Sequence, residues 1–217
     1  MEQGRKLQES FWNFNYVFER RTKIRFVHSS WRWFQHCRQK GGEGIGYSGH
    51  KHQKGLKELT LADNNGFVIA PIVVRSVNCY DGNLLSESLD ELTDIADLLD
   101  LDLENSYLTL DSGFDSEYNR WKIKSMKMIP VIKPNRRGIK NQEKLEMLYE
   151  DFNESIYKER FKVERIFAWQ DTYRKLVMRY EKLECTHSGF KYLAYSVMNL
   201  RGFMKENGGN SLWVRLY

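Results

Sequence analysis

The sequence lacks the features that would place it outside the globular proteins. No apolar run approaches the ~20 residues needed to cross a bilayer, and residues 1–10 have no apolar signal-peptide core. Only 3 of the 217 residues are proline, and hydrophobic residues make up 41% of the chain. A disordered or collagen-like chain is therefore excluded, and the length suits one compact domain with a sizeable core.

Cysteine is also scarce. Cys37, Cys79 and Cys185 are odd in number and far apart, so they form neither a disulfide framework nor a zinc-binding spacing. We therefore expect reduced thiols in a cytoplasmic protein.

Charge of one sign is missing from two stretches. Residues 76–119 carry 12 acidic residues and no lysine or arginine, and no acidic residue lies between Glu19 and Glu43. By contrast, residues 1–58 carry 12 Lys/Arg against 5 Asp/Glu, and residues 120–182 carry 17 against 9. Basic flanks around an acidic block indicate a face that binds polyanions, with nucleic acid as the leading partner.

The hydrophobic pattern predicts an α/β protein with a mixed sheet flanked by helices. Residues 54–63 and 67–74 read as the strands of an antiparallel hairpin, because Asn64-Asn65-Gly66 supplies the turn between them. Further strands are expected at Tyr107–Leu110 and Met128–Ile132, with a helix over residues 116–126 between them.

Helices are expected elsewhere. Ser88 and Glu91 form a capping-box signature, which predicts that a helix begins there. Residues 142–182 look mainly helical. A last amphipathic helix is predicted from an apolar spacing at Phe190, Leu193, Ala194, Val197 and Leu200.

Acidic residues near strand ends are the first candidates for chemistry. Asp111 follows a predicted strand, where a carboxylate can point into a crevice and bind a divalent metal. Asp115 is a candidate cap for the next helix, and Asp63 reads as a turn former. His50 and His52 have no third ligand nearby and are interpreted as loop residues.

A second candidate cluster lies on the helical segment. Tyr157, Arg160, Glu164 and Asp171 are spaced 3, 4 and 7 apart and would share one helix face. The competing interpretation is an exposed face with an Arg160–Glu164 ion pair. The basic set Lys133, Arg136, Arg137 and Lys140 is either a phosphate-binding turn or an ordinary solvated one.

Several stretches together resemble the DDE-type insertion-sequence transposases of bacteria, which have an RNase H-like fold. The resemblance covers roughly residues 14 to 203. It rests on the following stretches, in order: Gly41-Gly42-Glu43-Gly44-Ile45-Gly46-Tyr47-Ser48-Gly49-His50-Lys51-His52, Leu110-Asp111-Ser112-Gly113-Phe114-Asp115-Ser116, Ile132-Lys133-Pro134-Asn135-Arg136-Arg137-Gly138, Tyr157-Lys158-Glu159-Arg160-Phe161-Lys162-Val163-Glu164-Arg165-Ile166-Phe167-Ala168-Trp169, and Arg179-Tyr180-Glu181-Lys182.

The resemblance implies an enzyme that cleaves and joins DNA strands with Mg²⁺ or Mn²⁺. In that family, Asp111 would be the second acidic metal ligand and Glu164 the third, while Tyr157 and Arg160 would orient DNA or a carboxylate. The implied partners are transposon ends and target DNA, with a homo-oligomer as a further expectation, in a cytoplasmic, nucleoid-associated setting. Asp171 stands where the family often has a basic residue.

The family's first catalytic aspartate is missing. Arg32 stands in its place, and an arginine cannot ligate a metal cation. One hypothesis is a reading-frame shift over residues 31–40, since suitable codons read one nucleotide later spell Gly-Asp-Gly-Ser-Ser-Thr-Val-Ala-Lys-Lys. The other is a real aromatic and basic strand that binds DNA. Either way, we expect impaired catalysis.

The resemblance divides the chain into three parts. Residues 1–30 would be a truncated N-terminal segment, residues 31–205 the catalytic domain and residues 206–217 a tail. Two alternatives to an active transposase remain: a non-catalytic DNA-binding protein derived from one, and a stand-alone RNase H-like nuclease.

Overall fold

The computed structural model describes residues 26–28, 32–35, 42–49, 52–69, 72–136, 141–150, 152–177 and 179–206. Along these ranges, six strands come first, two further strands then alternate with helices, and the remainder is helical, as expected for a mixed α/β protein. The strands are β1 (Phe26–His28), β2 (Arg32–Gln35), β3 (Gly46–Ser48), β4 (Gln53–Leu59), β5 (Leu61–Ala62), β6 (Val73–Ser76), β7 (Tyr107–Leu110) and β8 (Ile129–Ile132). The α-helices are α1 (Asp81–Leu99), α2 (Glu117–Ser125), α3 (Gln142–Glu150), α4 (Glu154–Lys158), α5 (Lys162–Gln170), α6 (Arg174–Val177) and α7 (Glu184–Glu206).

The strands form two sheets that are joined through residues 53–62, where β4 of one sheet leads directly into β5 of the other. One sheet has the order β5-β1-β7-β8, and in the other β2, β3 and β6 all pair with β4. Glu58 pairs with both Arg32 and Val74, so β2 and β6 lie on opposite sides of β4. β5 of the hairpin pairs with one edge of β1, and the parallel strand β7 pairs with its other edge. β8 lies beyond β7 and is parallel to it.

The hairpin turn is built by Asp63, as the sequence predicted. Its Oδ1 accepts hydrogen bonds from the amides of Asn65 (2.9 Å) and Phe67 (2.7 Å). Gly66 has a φ of +91°, a conformation that costs a residue without Cβ little. The Asp63 side chain is buried and used within the turn, which agrees with a turn former and not with a metal ligand.

Helices cover both faces of the sheets. Leu84, Leu85 and Leu89 of α1 pack with Leu108 and Leu110 of β7 in one buried cluster. A second cluster joins the hairpin to α5 and α7 and contains Leu56, Val74, Ile166, Phe167 and Tyr195. None of the helices in the described ranges combines the length and the apolar character that a bilayer crossing requires.

The start of α1 differs from the capping-box prediction. The helix begins at Asp81, seven residues before Ser88, and Ser88 is fully buried within it. The apolar stripe starts earlier than the signature, because Leu84 and Leu85 continue the same face on which Leu89 and Leu92 lie. Burial of this longer stripe outweighs the local preference of serine for a helix end.

The last helix exists as predicted, but its buried face is different. Leu193 and Leu200 are 52% and 41% exposed, whereas Lys191 and Asn199 are buried. Polar partners explain the rotation: Asn199 exchanges two hydrogen bonds with the backbone of Val68 (2.9 and 3.1 Å), and Lys191 meets a buried carboxylate on β4. The spacing of apolar residues alone does not reveal such buried polar pairs.

The helical segment 142–182 is broken rather than continuous. A 3₁₀ turn, Glu159–Phe161, lies between α4 and α5, and α6 follows as a separate short helix. The 3₁₀ turn winds tighter than an α-helix, so residues three apart come almost directly above one another. This turn bears Arg160, three residues after Tyr157 of α4.

Candidate functional site

Asp111 lies at the carboxyl end of β7, where the sequence placed it. The parallel strands β7 and β8 are in register with Leu110 opposite Ile132, so Asp111 and Lys133 are the residues that follow each strand. The chain then forms a 3₁₀ turn, Ser112–Phe114, whose Phe114 is 1% exposed. Burial of this phenylalanine fixes the turn, and the Asp111 side chain remains partly accessible at 26%.

Asp115 joins the loops that follow the two parallel strands. Its Oδ1 accepts from Nε of Arg120 at 2.8 Å, and its Oδ2 accepts from the amide of Asn135 at 2.8 Å. The prediction that Asp115 caps the next helix was wrong, because Ser116 is the cap and accepts from the Asn119 amide. Asp115 instead holds the loop that begins at Lys133 against the loop that begins at Asp111.

Arg160 reaches Asp111 across 49 positions of sequence. Its Nη1 lies 3.0 Å from Oδ1 of Asp111, and its guanidinium lies 5.5 Å from the ring centroid of Tyr157. Three of the four candidate catalytic residues therefore meet in space. The competing Arg160–Glu164 pair is not what the structure contains, because Arg160 turns toward the strand end instead.

The Tyr157 phenol is tuned by its neighbours. Burial raises its pKa, the Arg160 guanidinium opposes that shift, and the Asp111 carboxylate adds to it, so that the pKa lies above its ordinary value. A tyrosine is already protonated at neutral pH, and the raised pKa keeps the Tyr157 phenol a hydrogen-bond donor.

An aromatic chain connects this cluster with the basic turn. The Tyr157 ring lies 5.2 Å from Phe152, Phe152 lies 5.7 Å from Tyr149, and Tyr149 receives a hydrogen bond from Nε of Arg136 at 3.2 Å. The guanidinium of Arg136 also lies 5.2 Å from the Tyr149 ring centroid. Sequence reasoning missed Tyr149 and Phe152; their only signal was aromatic residues just before the Tyr157 segment.

The remaining candidates are less closely placed. Glu164 lies one helical turn after Arg160 on α5 and is exposed, and Asp171 is an exposed residue at the end of the same helix. Lys133 and Arg136 are exposed after β8, whereas Arg137 and Lys140 lie outside the described residues. His52 is exposed and contacts the Tyr47 hydroxyl at 3.2 Å, and His50 lies outside the described residues.

The position of Arg32 is defined for the backbone. It begins β2, opposite Glu58 of β4. The pairing of β1 with β7 reaches Val27 opposite Thr109, so Arg32 comes five residues after the last β1 residue that pairs with β7. Most of the segment proposed as a frameshift product, residues 31 and 36–40, lies outside the described residues.

The residues do not fit a complete divalent-metal centre as they stand. Within the described ranges, no three His, Cys, Asp or Glu side chains are grouped closely enough to hold a metal ion. The Asp111 carboxylate at the strand end already contacts the Arg160 guanidinium.

Comparison with known families decides the identity. The family model of the transposase DDE domain matches residues 22–194, which is most of the chain. The chain belongs to the transposase DDE domain family. No curated protein and no solved structure matches it.

The family match includes the residues that meet at the strand end. The matched region contains Asp111, Tyr157, Arg160 and Glu164, and it supports a function in DNA transposition. Transposases of the DDE family normally act on DNA with a divalent metal, which contrasts with the incomplete ligand set among the described residues.

Proposed function

We propose that this transposase DDE protein binds DNA through the strand-end cluster, defined as Asp111, Lys133, Arg136, Tyr157 and Arg160. The observation that carries the proposal is the 3.0 Å contact of Arg160 with Asp111, because it joins the two stretches expected to carry the family's chemistry. Exposed Lys133 and Arg136 lie at the same end of the parallel strands and supply positive charge for phosphates.

The proposed architecture is RNase H-like. Support comes from the strand arrangement, with an antiparallel hairpin on one side of β1 and two strands parallel to β1 on the other. In such a sheet, ligands gather beyond the carboxyl ends of parallel strands, where Asp111 and Lys133 both lie.

The DNA-binding proposal can be tested with two lysines at opposite ends of β8. Lys133 follows the strand and Lys127 precedes it, and both are exposed. We expect Lys133→Gln to weaken binding to duplex DNA regardless of sequence and to reduce the salt slope of log K by about 1, because one phosphate contact is lost. Lys127→Gln should leave both quantities unchanged. Fluorescence anisotropy titrations with EDTA at several salt concentrations measure this.

Those titrations can also contradict the proposal. Equal effects of the two substitutions would remove the strand-end cluster as the binding face. Undetectable DNA affinity at low salt would remove DNA binding altogether.

We further propose that cleavage by this chain is impaired, because the family resemblance puts Arg32 where the first catalytic aspartate would be. Incubation with supercoiled plasmid and Mg²⁺ should give no nicked circles above background. The matched positive control carries Gly-Asp-Gly-Ser-Ser-Thr-Val-Ala-Lys-Lys at positions 31–40. That variant should nick the plasmid and lose the activity on Asp111→Asn.

One result would contradict impaired cleavage, and another would change its explanation. Nicking by the unaltered chain that disappears on Asp111→Asn would show an intact site without the first aspartate. An inactive positive control that nevertheless binds DNA would favour the second candidate, a non-catalytic DNA-binding protein. The Arg160–Asp111 pair is the specific observation in favour of that candidate, since it leaves the carboxylate neutralised.

A further inference from the structure

The Asp111 carboxylate already has a cation in contact with it. Nη1 of Arg160 and Oδ1 of Asp111 are 3.0 Å apart, and the two side chains are only 22% and 26% exposed. A charge-assisted contact of this length in a half-buried place is stronger than a fully solvated surface pair. The guanidinium therefore fills the space beside this oxygen and balances its negative charge, and a divalent cation bound there would need both.

The guanidinium and the turn that bears it each have a contact besides Asp111. The Tyr157 ring lies against it at 5.5 Å, which favours a cation over the ring face. The 3₁₀ turn that bears Arg160 is also fixed at its C-terminal end, because Lys162 donates to Asn64 of the hairpin turn at 2.9 Å and pairs with Glu159 of the same turn. Arg160 is thus positioned by its surroundings and does not depend on Asp111 alone.

We propose that Arg160 is an internal counter-ion that competes with divalent cations for Asp111. The inference rests on the proposed function only in that it concerns the same site. A cation that binds Asp111 must displace the guanidinium, and an unmoved guanidinium repels it at close range. The family's metal requirement then meets a barrier within this chain itself, in addition to the missing first aspartate.

The test is a calorimetric titration of the whole chain with Mn²⁺ alone, without DNA. We expect Arg160→Gln to bind Mn²⁺ at least about tenfold more tightly than the unaltered chain, because the competing charge is gone. Arg160→Lys keeps the charge and should bind as weakly as the unaltered chain. Arg75→Gln, which removes an arginine paired with Glu87 at 2.8 Å, is the matched control and should change nothing.

A second readout separates a site effect from a change in folding. Mn²⁺ should raise the thermal midpoint of Arg160→Gln and leave that of the unaltered chain unchanged, since only a ligand that binds the folded state stabilises it. Adding Asp111→Asn to Arg160→Gln should abolish both the tighter binding and the thermal shift.

Three outcomes would overturn the inference. Arg160→Gln could bind Mn²⁺ no more tightly than the unaltered chain, its gain could survive Asp111→Asn, or Arg160→Lys could show the same gain. Loss of DNA binding in the anisotropy titrations would contradict the proposed function and leave this inference standing, because the Mn²⁺ titration contains no DNA.

Discussion

Replacement of Lys191 by methionine is expected to lower the free energy of unfolding by about 3–5 kcal/mol. Lys191 of α7 and Glu58 of β4 are both fully buried, and Nζ lies 2.6 Å from Oε2. The remaining hydrogen bonds to this carboxylate come from Tyr195 (2.8 Å), Thr60 (3.0 Å) and Gln170 (3.3 Å). None of these donors carries a charge, so methionine leaves a buried carboxylate without its counter-ion.

The pH dependence distinguishes this cause from a simple loss of packing. Burial alone would raise the pKa of Glu58, but the charge of Lys191 and hydrogen bonds from Lys191, Tyr195 and Gln170 outweigh it, so the pKa lies below its ordinary value. In the unaltered chain, this stabilisation is complete above the unfolded pKa of about 4.3 and is lost as pH falls through the lower folded pKa.

Without Lys191, burial dominates and the pKa of Glu58 rises above its unfolded value. Lys191→Met should then become more stable as pH is lowered from 7 to 5, because the folded state takes up the proton more readily than the unfolded state. In the unaltered chain, Glu58 should not change the free energy of unfolding over the same pH interval. Urea unfolding at the two pH values measures both slopes.

The double variant Glu58→Gln with Lys191→Met is the control. Removing both charges should recover most of the loss, since a buried ion pair is often replaceable by neutral groups while a lone buried charge is not. A single variant that loses less than about 1 kcal/mol, or a double variant as unstable as the single one, would show that the pair does not stabilise the fold as we argue.

Local features of this fold were readable from sequence. The hairpin turn needs only Asp63 and Gly66, which lie within four residues of each other, and the strand Tyr107–Leu110 shows its own apolar β pattern. The cap of α2 was misassigned by one residue, from Ser116 to Asp115. Errors of that size are expected, because neighbouring polar residues offer similar hydrogen-bonding groups to a helix end.

Features built from distant residues were not readable. The buried pair Glu58–Lys191 joins positions 133 apart. It accompanies a rotation of α7 relative to the prediction, in which Lys191 is buried and Leu193 exposed while Ala194 is buried as expected. A prediction from hydrophobic periodicity assumes that every lysine is solvated, so it assigns the wrong face of such a helix to the core.

The candidate site could be predicted from the sequence in part. Resemblance to a family singled out Asp111, Tyr157, Arg160 and Glu164. The fold brings the first three together, whereas Glu164 is exposed on α5 outside these contacts. Spacing alone favoured an Arg160–Glu164 pair, because residues four apart on a helix are neighbours. The 3₁₀ turn and the packing of that turn near the strand end decide the competition in favour of Asp111, and neither can be inferred from a local pattern.

Arg179→Gln is expected to lower the free energy of unfolding by about 2–4 kcal/mol, since hydrogen bonds from a charged group are lost inside the protein. Arg179 is 1% exposed, and it donates to the carbonyls of Glu181 (3.0 Å) and Lys182 (3.1 Å). The Lys182 carbonyl also accepts from the Glu43 amide at 2.9 Å, and the Glu43 carboxylate caps α7 by accepting from the Glu184 amide at 3.0 Å.

These bonds fasten the loop at residues 42–45 to the start of α7, so the variant should also expose the Glu184 amide. Arg201→Gln, at an exposed position of the same helix, is the control and should stay within about 0.5 kcal/mol of the unaltered chain. Urea unfolding gives the stability, and amide hydrogen exchange at Glu184 reports the local release. Faster exchange at Glu184 in Arg179→Gln alone would establish that the arginine acts through this loop, whereas equal exchange in both variants would refute it.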